Sequence, residues 1–174
     1  NILMSHEDLV ERMKLTPSDH PVIEVDNVMS LNFSCLRSWI LPSLFRIETA
    51  SPRTFYPHRL FEIGEVALPD LSLELGAKTL IKLAALIAHP HANFSEIHTN
   101  LDMLMYYLVQ DYTLDPTTHG SFLDGRVGKV MVKGQSIGWI GEIHPEVLEA
   151  WHISMPVSAF ELEVNSLCLK NQAG

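Results

Sequence analysis

Two extended segments joined by a tight turn constrain the fold more than any other feature of this chain. Arg126 to Lys133 and Ser136 to Ile143 both read as strands, and they flank Gly134-Gln135, a two-residue hairpin signal. Strands joined by so short a turn run antiparallel. The sequence therefore predicts a sheet built at least in part from hairpins.

The other predicted elements extend this antiparallel pattern. Arg59 to Val66 and Lys82 to His89 read as strands, and Ser158 to Val164 as a final half-buried strand. Asn93 and Glu96 match a capping box, and a helical apolar face follows at Ile97, Leu101, Leu104, Met105 and Leu108. Pro145 suits the first turn of another helix. Because helices separate hairpins without regular βαβ alternation, we predict an α+β fold with a mostly antiparallel sheet flanked by helices.

The start and length of the chain predict one domain over residues 1–174. Ile2 to Met4 reads as the end of a strand, Ser5 as a helix cap, and Asp8 and Arg12 as a helical ion pair. Pro21 to Val25 is a further short strand candidate. The chain begins without methionine and in mid-strand, so we expect it to be a piece of a longer protein.

The segment SCLRSWILPSLFRI has an unusual distribution of apolar residues. It predicts a helix over Cys35 to Ile47, capped by Ser34, yet Trp39, Leu41 and Phe45 lie off the main apolar stripe. A helix with so little polar surface must be buried on two sides. Pro42 predicts a kink or break within it.

Charge and composition exclude several classes of protein. Acids outnumber Lys plus Arg 21 to 12, which argues against free-standing, non-specific nucleic-acid binding. The longest apolar run, Leu83 to Ala88, is too short to span a bilayer. Cys35 and Cys168 follow no metal or redox spacing, so we expect reduced thiols in a cytoplasmic protein.

Motifs that suggest catalysis have plainer explanations. GQSIG, at Gly134 to Gly138, fits a serine-hydrolase pattern, but its serine opens a hairpin arm instead of a strand-to-helix turn. The trio of His89, His91 and His98 could converge on a metal, although surface histidines are the favoured interpretation. Phosphate-binding glycine motifs are missing from the sequence.

Glu62, Glu65 and His144 are the remaining candidate site residues. In the strand LFEIGEV at least one carboxylate must lie on an otherwise apolar face, where it needs a partner. Pairing with Arg37 or Arg59 is the favoured explanation, and a relic of a binding cleft is the alternative. His144 precedes Pro145, so it is expected to shape the backbone and not to transfer protons.

Three stretches in order carry a family resemblance: SLNFSCLRSWILPSLF, HRLFEIGEV, and GRVGKVMVKGQSIGWIGEIHPEVLEAW leading into PVSAFELEV. Together they resemble the C-terminal catalytic-like core of the phenylalanyl-tRNA synthetase beta subunit, archaeal and eukaryotic type. The middle of the chain, about Ala67 to Thr118, matches only in pattern.

The resemblance implies a class II synthetase-like fold without a working active site. It also implies a cytoplasmic heterotetramer of two alpha and two beta subunits, in which the alpha subunit uses ATP and magnesium to attach phenylalanine to tRNA. No cofactor would bind this domain. In agreement, LFEIGEV lacks the arginine expected to follow in register, and no GxGxGxER motif occurs.

By the same resemblance, Cys35 to Ile47 would occupy the position of the helix that builds the subunit interface. The predicted interface residues are Arg37, Trp39, Leu41, Leu44 and Phe45. An exposed interface helix would also favour self-dimerisation of the isolated chain.

Two alternative functions remain open at this point. One is an active or ligand-binding class II-like ligase that uses Glu62, Glu65 and His144. The other is a tRNA-contacting module that uses Arg53 and Arg59, within a segment from Asn27 to Leu60 that holds four arginines against one acid.

Overall fold

The computed structural model describes residues 2–26, 31–51 and 55–168. The strands within these ranges are β1 (Leu3–Met4), β2 (Ile23–Glu24), β3 (Cys35–Leu36), β4 (His58–Pro69), β5 (Ala77–Ala88), β6 (Thr113–Pro116), β7 (Phe122–Val132), β8 (Gln135–Ile143) and β9 (Val157–Glu163). The helices are a π-helical turn (Glu7–Glu11), a 3-10 turn (Leu31–Phe33), α1 (Leu41–Thr49), α2 (Phe94–Tyr107), α3 (Pro145–Ala150) and α4 (Asn165–Cys168).

The described strands form two sheets in which every pair is antiparallel. The large sheet has the order β4-β5-β9-β8-β7-β6, and the small one has the order β1-β3-β2. The predicted α+β class with a mostly antiparallel sheet is confirmed. None of the helices in the described ranges is long and apolar enough to cross a membrane.

The central hairpin forms with its turn one residue earlier than predicted. Val132 pairs with Gln135, so the turn residues are Lys133 and Gly134, and their φ angles are 51° and 77°. Two consecutive positive φ angles are typical of the type I′ turn, whose twist matches that of the strands. The glycine lies at the second turn position, whereas the sequence interpretation had placed it at the first.

Strand β9 is central and not half-buried as predicted. It lies between β5 and β8, and Val157 to Leu162 are all buried, including Glu161. The alternation of apolar and acidic residues suggested one wet face. Both faces are covered, since α2 packs on one side of the sheet and the α1 region on the other.

Helix α1 starts six residues later than predicted. Cys35–Leu36 is a strand of the small sheet, and the helix begins at Leu41, with Pro42 in its first turn. Proline is tolerated there because the first helical N–H groups have no intrahelical partner, but it cannot lie in a helix interior. The predicted helix over Cys35 to Ile47 is therefore wrong in its first half.

Two local predictions near the chain start are confirmed. The backbone N–H of Asp8 donates to Ser5 Oγ at 3.1 Å, and Arg12 Nη1 lies 3.3 Å from Asp8 Oδ1. The segment between them is a single π-helical turn, which packs Leu9 and Val10 into the core.

Helix α2 matches its sequence signature closely. Asn93 Oδ1 accepts from the backbone N–H of Glu96 at 3.1 Å, and Ile97, Leu101 and Met105 are buried against the sheet. The reciprocal half of the capping box does not form. The Glu96 carboxylate instead contacts His89 Nε2 at 2.6 Å.

We expect Asn93→Ala to lower the free energy of unfolding by about 1 kcal/mol, because it removes this N-terminal cap. Urea denaturation of the chain measures the change, with Asn93→Asp as the matched control that keeps the acceptor. A loss of equal size in both variants would contradict a capping role.

Candidate functional site

The face of the large sheet that packs against α1 carries a row of charged and aromatic side chains. In register across four strands lie Glu62 on β4, Ala84 on β5, Glu161 on β9 and Trp139 on β8. Side chains directly opposite each other on antiparallel strands share a face and lie close together. This row is the candidate site.

Glu161 is the centre of the row, and it is only 2% exposed. Its Oε2 accepts the backbone N–H groups of Ile40 and Leu41, both at 2.9 Å. Ile40 has no side-chain cap to offer, so the carboxylate from β9 caps the start of α1, where the helix dipole favours negative charge.

Lys82 neutralises the same carboxylate. Its Nζ lies 3.2 Å from Glu161 Oε1, close enough for an ion pair although not aligned as a hydrogen bond, and it donates to the carbonyl of Ser38 at 3.1 Å. A buried charge of either sign requires such a partner. The pair therefore joins β5, β9 and the segment that precedes α1.

Arg37 occupies a second ion pair at the edge of the row. It is buried, its Nη1 contacts Glu62 Oε1 at 2.6 Å, and its Nε donates to the carbonyl of Glu65 at 2.8 Å. Gly64 makes room for it, since a Cβ there would lie 2.1 Å from Arg37 Nη2. The predicted pairing of a β4 carboxylate with Arg37 is confirmed for Glu62.

The predicted interface side chains are enclosed by their own chain. Trp39, Leu41, Leu44 and Phe45 are between 0% and 2% exposed, and Trp39 Nε1 donates to the carbonyl of Leu9 at 3.2 Å. The cover comes from both ends of the chain: Leu9 and Met13 belong to the same core cluster, and the ring of Phe45 packs edge-on against Trp151 at 5.7 Å between centroids. No second protein is therefore needed to bury these predicted interface residues, and Arg37 is likewise held internally.

The predicted cleft residues do not converge. Glu62 and Glu65 point to opposite faces of β4, and His144 follows β8, with β5 and β9 lying between those strands. His144 Nδ1 accepts from the backbone N–H of Glu146 at 3.1 Å, and its backbone is extended at ψ 136°. The expectation that His144 shapes the backbone is confirmed by this cap on α3.

The remaining sequence candidates take ordinary places. Ser136 is exposed on β8, away from any strand-to-helix turn, and no group of three or more metal-ligating side chains occurs among the residues that the structure describes. The Arg59 side chain is 65% exposed and lies 3.4 Å from Glu96, so its contact with tRNA stays a prediction. Arg53 lies outside the described residues.

Sequence reasoning missed a pair of histidines beside the row. His20 and His119 both approach Trp39, with ring centroids 5.0 and 5.9 Å away, and His119 lies 5.0 Å from Trp139. They line a cavity of about 510 Å³. Distant segments contribute these rings, so no local pattern could have pointed to them.

Both histidines are held neutral near pH 7. Burial is the main cause that lowers the pKa of His20 and of His119 to about 4, and the Lys82 ammonium lowers both further. His119 Nδ1 accepts from the backbone N–H of Ser121 at 3.2 Å, so its proton lies on Nε2. A pKa this low is poorly matched to general acid–base work at neutral pH.

These pKa values predict a pH dependence of stability. Between about pH 6.5 and pH 4 the unfolded chain binds protons at His20 and His119 that the folded chain does not, so stability falls as the pH falls. Each histidine contributes up to about 1.4 kcal/mol per pH unit in this window. The free energy of unfolding, measured by urea denaturation at several pH values, should fall less steeply with falling pH in His119→Gln than in the wild type. Replacing the exposed His91 with Gln should leave that pH dependence unchanged. The same pH dependence in all three proteins would contradict the assignment.

Comparisons with known proteins show the family of the chain. The family model described as "Phenylalanyl tRNA synthetase beta chain CLM domain" matches residues 1–164. The chain is 39% identical over 176 residues to the phenylalanine–tRNA ligase beta subunit of Thermococcus onnurineus, covering 95% of this chain and 31% of that protein. It is 41% identical over 158 residues to that of Pyrococcus abyssi, covering 91% and 28%, and 38% identical over 166 residues to that of Methanopyrus kandleri, covering 95% and 28%.

The chain thus spans less than a third of the length of these curated relatives. The family model extends across the segments that build both faces of the large sheet, since it runs from the first residue past the end of β9. The chain belongs to the family of phenylalanyl-tRNA synthetase beta chain CLM domains.

Proposed function

We propose that this chain is a catalytically silent, class II-like module of a phenylalanine–tRNA ligase beta subunit. Its task is assembly: it holds the alpha subunit in its active arrangement within a cytoplasmic complex of two alpha and two beta subunits. ATP, magnesium and phenylalanine bind the alpha subunit, and tRNA is engaged by the whole complex. The family to which the chain belongs and the names of its relatives support its assignment to the beta subunit of such a ligase.

One observation carries the proposal: the charged groups on the candidate face already have internal partners. Glu161 caps α1 and pairs with Lys82, while Glu62 pairs with buried Arg37. Phosphoanhydride chemistry depends on charged groups aimed at charge that develops in the transition state. Groups committed to structural pairs are poorly placed to supply that stabilisation.

A surface at the end of α2 offers the side chains that assembly requires. Met103, Tyr106, Tyr107 and Val109 are between 56% and 89% exposed. Methionine and aromatic residues are enriched at protein interfaces. The segment from Leu83 to Gly125 contains no Lys or Arg, which favours a protein and not tRNA as the partner of this surface. We assign the alpha-subunit contact to this surface instead of to the segment around Trp39.

Co-expression of the full-length beta subunit with its alpha subunit tests both parts of the proposal. Tyr107→Asp should prevent or weaken co-purification of the two subunits and lower aminoacylation. Thr99→Asp, on the same helix but outside the exposed surface at the end of α2, should do neither. Glu62→Gln should leave complex size unchanged and aminoacylation within about twofold, because a neutral acceptor still serves Arg37.

Two results would overturn the proposal. An unchanged complex and unchanged activity in Tyr107→Asp would remove the assembly surface. A large loss of activity in Glu62→Gln with an intact complex would show that the candidate face takes part in chemistry.

A further inference from the structure

Strand β4 lies at the edge of the large sheet, and part of that edge is uncovered. Among the strands that the structure describes, it pairs with β5 alone. Arg37 covers one end, because the N–H of Ala67 donates to the Arg37 carbonyl at 2.9 Å and Arg37 Nε donates to the Glu65 carbonyl. These contacts show that odd-numbered residues of β4 direct their backbone groups outward.

The other end of the edge lacks such cover. By the same alternation, Arg59, Phe61 and Ile63 direct their N–H and C=O groups outward, and no described residue pairs with them. Their side chains share the face opposite Arg37, where Phe61 is 74% and Ile63 59% exposed. Proteins usually protect such an edge with charges or a covering segment, because it is a template for another strand.

The outward positions are self-complementary when the strand is reversed. Along β4 they read Arg59, Phe61, Ile63, Glu65. In an antiparallel copy centred on Glu62, Phe61 lies opposite Ile63 of the other copy, and Arg59 lies opposite Glu65. Phe61 and Ile63 are positions that exchange both backbone hydrogen bonds, whereas the Glu65 carbonyl is already held by Arg37 Nε, so Arg59 and Glu65 of the two copies would meet through their side chains. Shifting the register by two residues in either direction places Phe61 opposite Glu65 or Arg59 opposite Ile63. Either shift therefore sets a charged side chain against an apolar one, so the register centred on Glu62 is favoured.

We propose that a second copy of this chain pairs with the free edge of β4, antiparallel and centred on Glu62, so that the two large sheets become continuous. The occupant is a second copy because charge and apolar complementarity are both met by the strand's own sequence. In this register the two Glu62 side chains face each other across the two-fold axis of the dimer, on the face of the sheet that carries Arg37. Their repulsion is small because each carboxylate is already paired with Arg37 of its own chain. From the sequence, self-dimerisation is expected through the segment around Trp39, whereas the proposed dimer contact lies on β4.

The dimer is expected to be weak. A few residues of strand pairing bury far less than the roughly 1,200 Å² of stable interfaces, and the net charge of −9 on each chain opposes association. Measurements therefore need physiological ionic strength, at which the Debye length is about 8 Å and distant charges are screened.

Sedimentation velocity of this chain over a wide concentration range tests the pairing. The wild type should show a concentration-dependent monomer–dimer equilibrium. Arg59→Glu or Glu65→Arg alone should raise the dimer dissociation constant about tenfold or more, because each creates two like-charge pairs in the dimer. The double variant, Arg59→Glu with Glu65→Arg, should return it close to the wild-type value.

Two substitutions to lysine, one on the free edge of β4 and one away from it, provide a matched control. Ile63→Lys should abolish the dimer, whereas Leu71→Lys, at the exposed tip of the β4–β5 hairpin, should not. A chain that stays monomeric at every concentration, or a dimer that charge reversal does not weaken and the double variant does not restore, would overturn the proposal. Binding of the alpha subunit is measured separately and through Tyr107, so failure of one proposal leaves the other standing.

Discussion

Replacing Glu161 with alanine is expected to lower the free energy of unfolding by about 3–5 kcal/mol, the range for breaking a buried ion pair from one side. The substitution leaves the Lys82 ammonium without its counter-charge in the core. It also leaves the N–H groups of Ile40 and Leu41 without an acceptor at the start of α1. Urea denaturation followed by far-UV circular dichroism measures the loss.

Glu163→Ala is the matched control, since Glu163 lies two residues further along the same strand and is only partly buried. We expect it to cost less than about 1 kcal/mol. The double variant Lys82→Met with Glu161→Leu should lose less than the sum of the single variants, because it removes both charges together. A Glu161→Ala loss no larger than that of Glu163→Ala would contradict the structural role of the carboxylate.

Replacing Trp39 with alanine is expected to lower the free energy of unfolding of the isolated chain by about 3–5 kcal/mol. The indole is 2% exposed, contacts two histidine rings and donates to the Leu9 carbonyl. Its loss would leave a cavity between the small sheet and the large one. Chemical denaturation of the chain without any partner is the measurement.

Tyr107→Ala is the matched control for Trp39, because this side chain is 75% exposed. Its stability should stay within about 0.5 kcal/mol of the wild type. If Trp39 served mainly to bind another protein, the two substitutions would have similarly small effects on the isolated chain.

Elements with a local signal could be predicted from the sequence. The central hairpin and α2 each combine a periodic apolar pattern with a turn or cap residue, and both form where they are expected, although β7 begins at Phe122, four residues before the predicted Arg126. Asp8 and Arg12 pair because helical geometry alone brings them together. Such features depend on neighbours that lie close in the chain.

The features that depend on distant segments were not predictable in this way. The apolar residues around Trp39 correctly indicated burial on two sides, but periodicity could not reveal that distant segments of the same chain, its first residues and the region around Trp151, supply the second side. Glu161 looked like a solvent-facing residue of a half-buried strand, because its partners lie some 80 to 120 residues away in sequence. The pair of histidines, His20 and His119, could not be predicted for the same reason, because the two residues lie far apart in the sequence.

Titration of the isolated chain with magnesium ATP and with phenylalanine tests the central claim most directly. Tryptophan fluorescence is a suitable signal, since Trp139 lies in the candidate row and Trp39 packs beside it. The proposed scaffold role predicts no saturable change with either ligand. A saturable, stoichiometric change that Glu62→Gln weakens without unfolding the chain would contradict it and restore a ligand-binding role to this face.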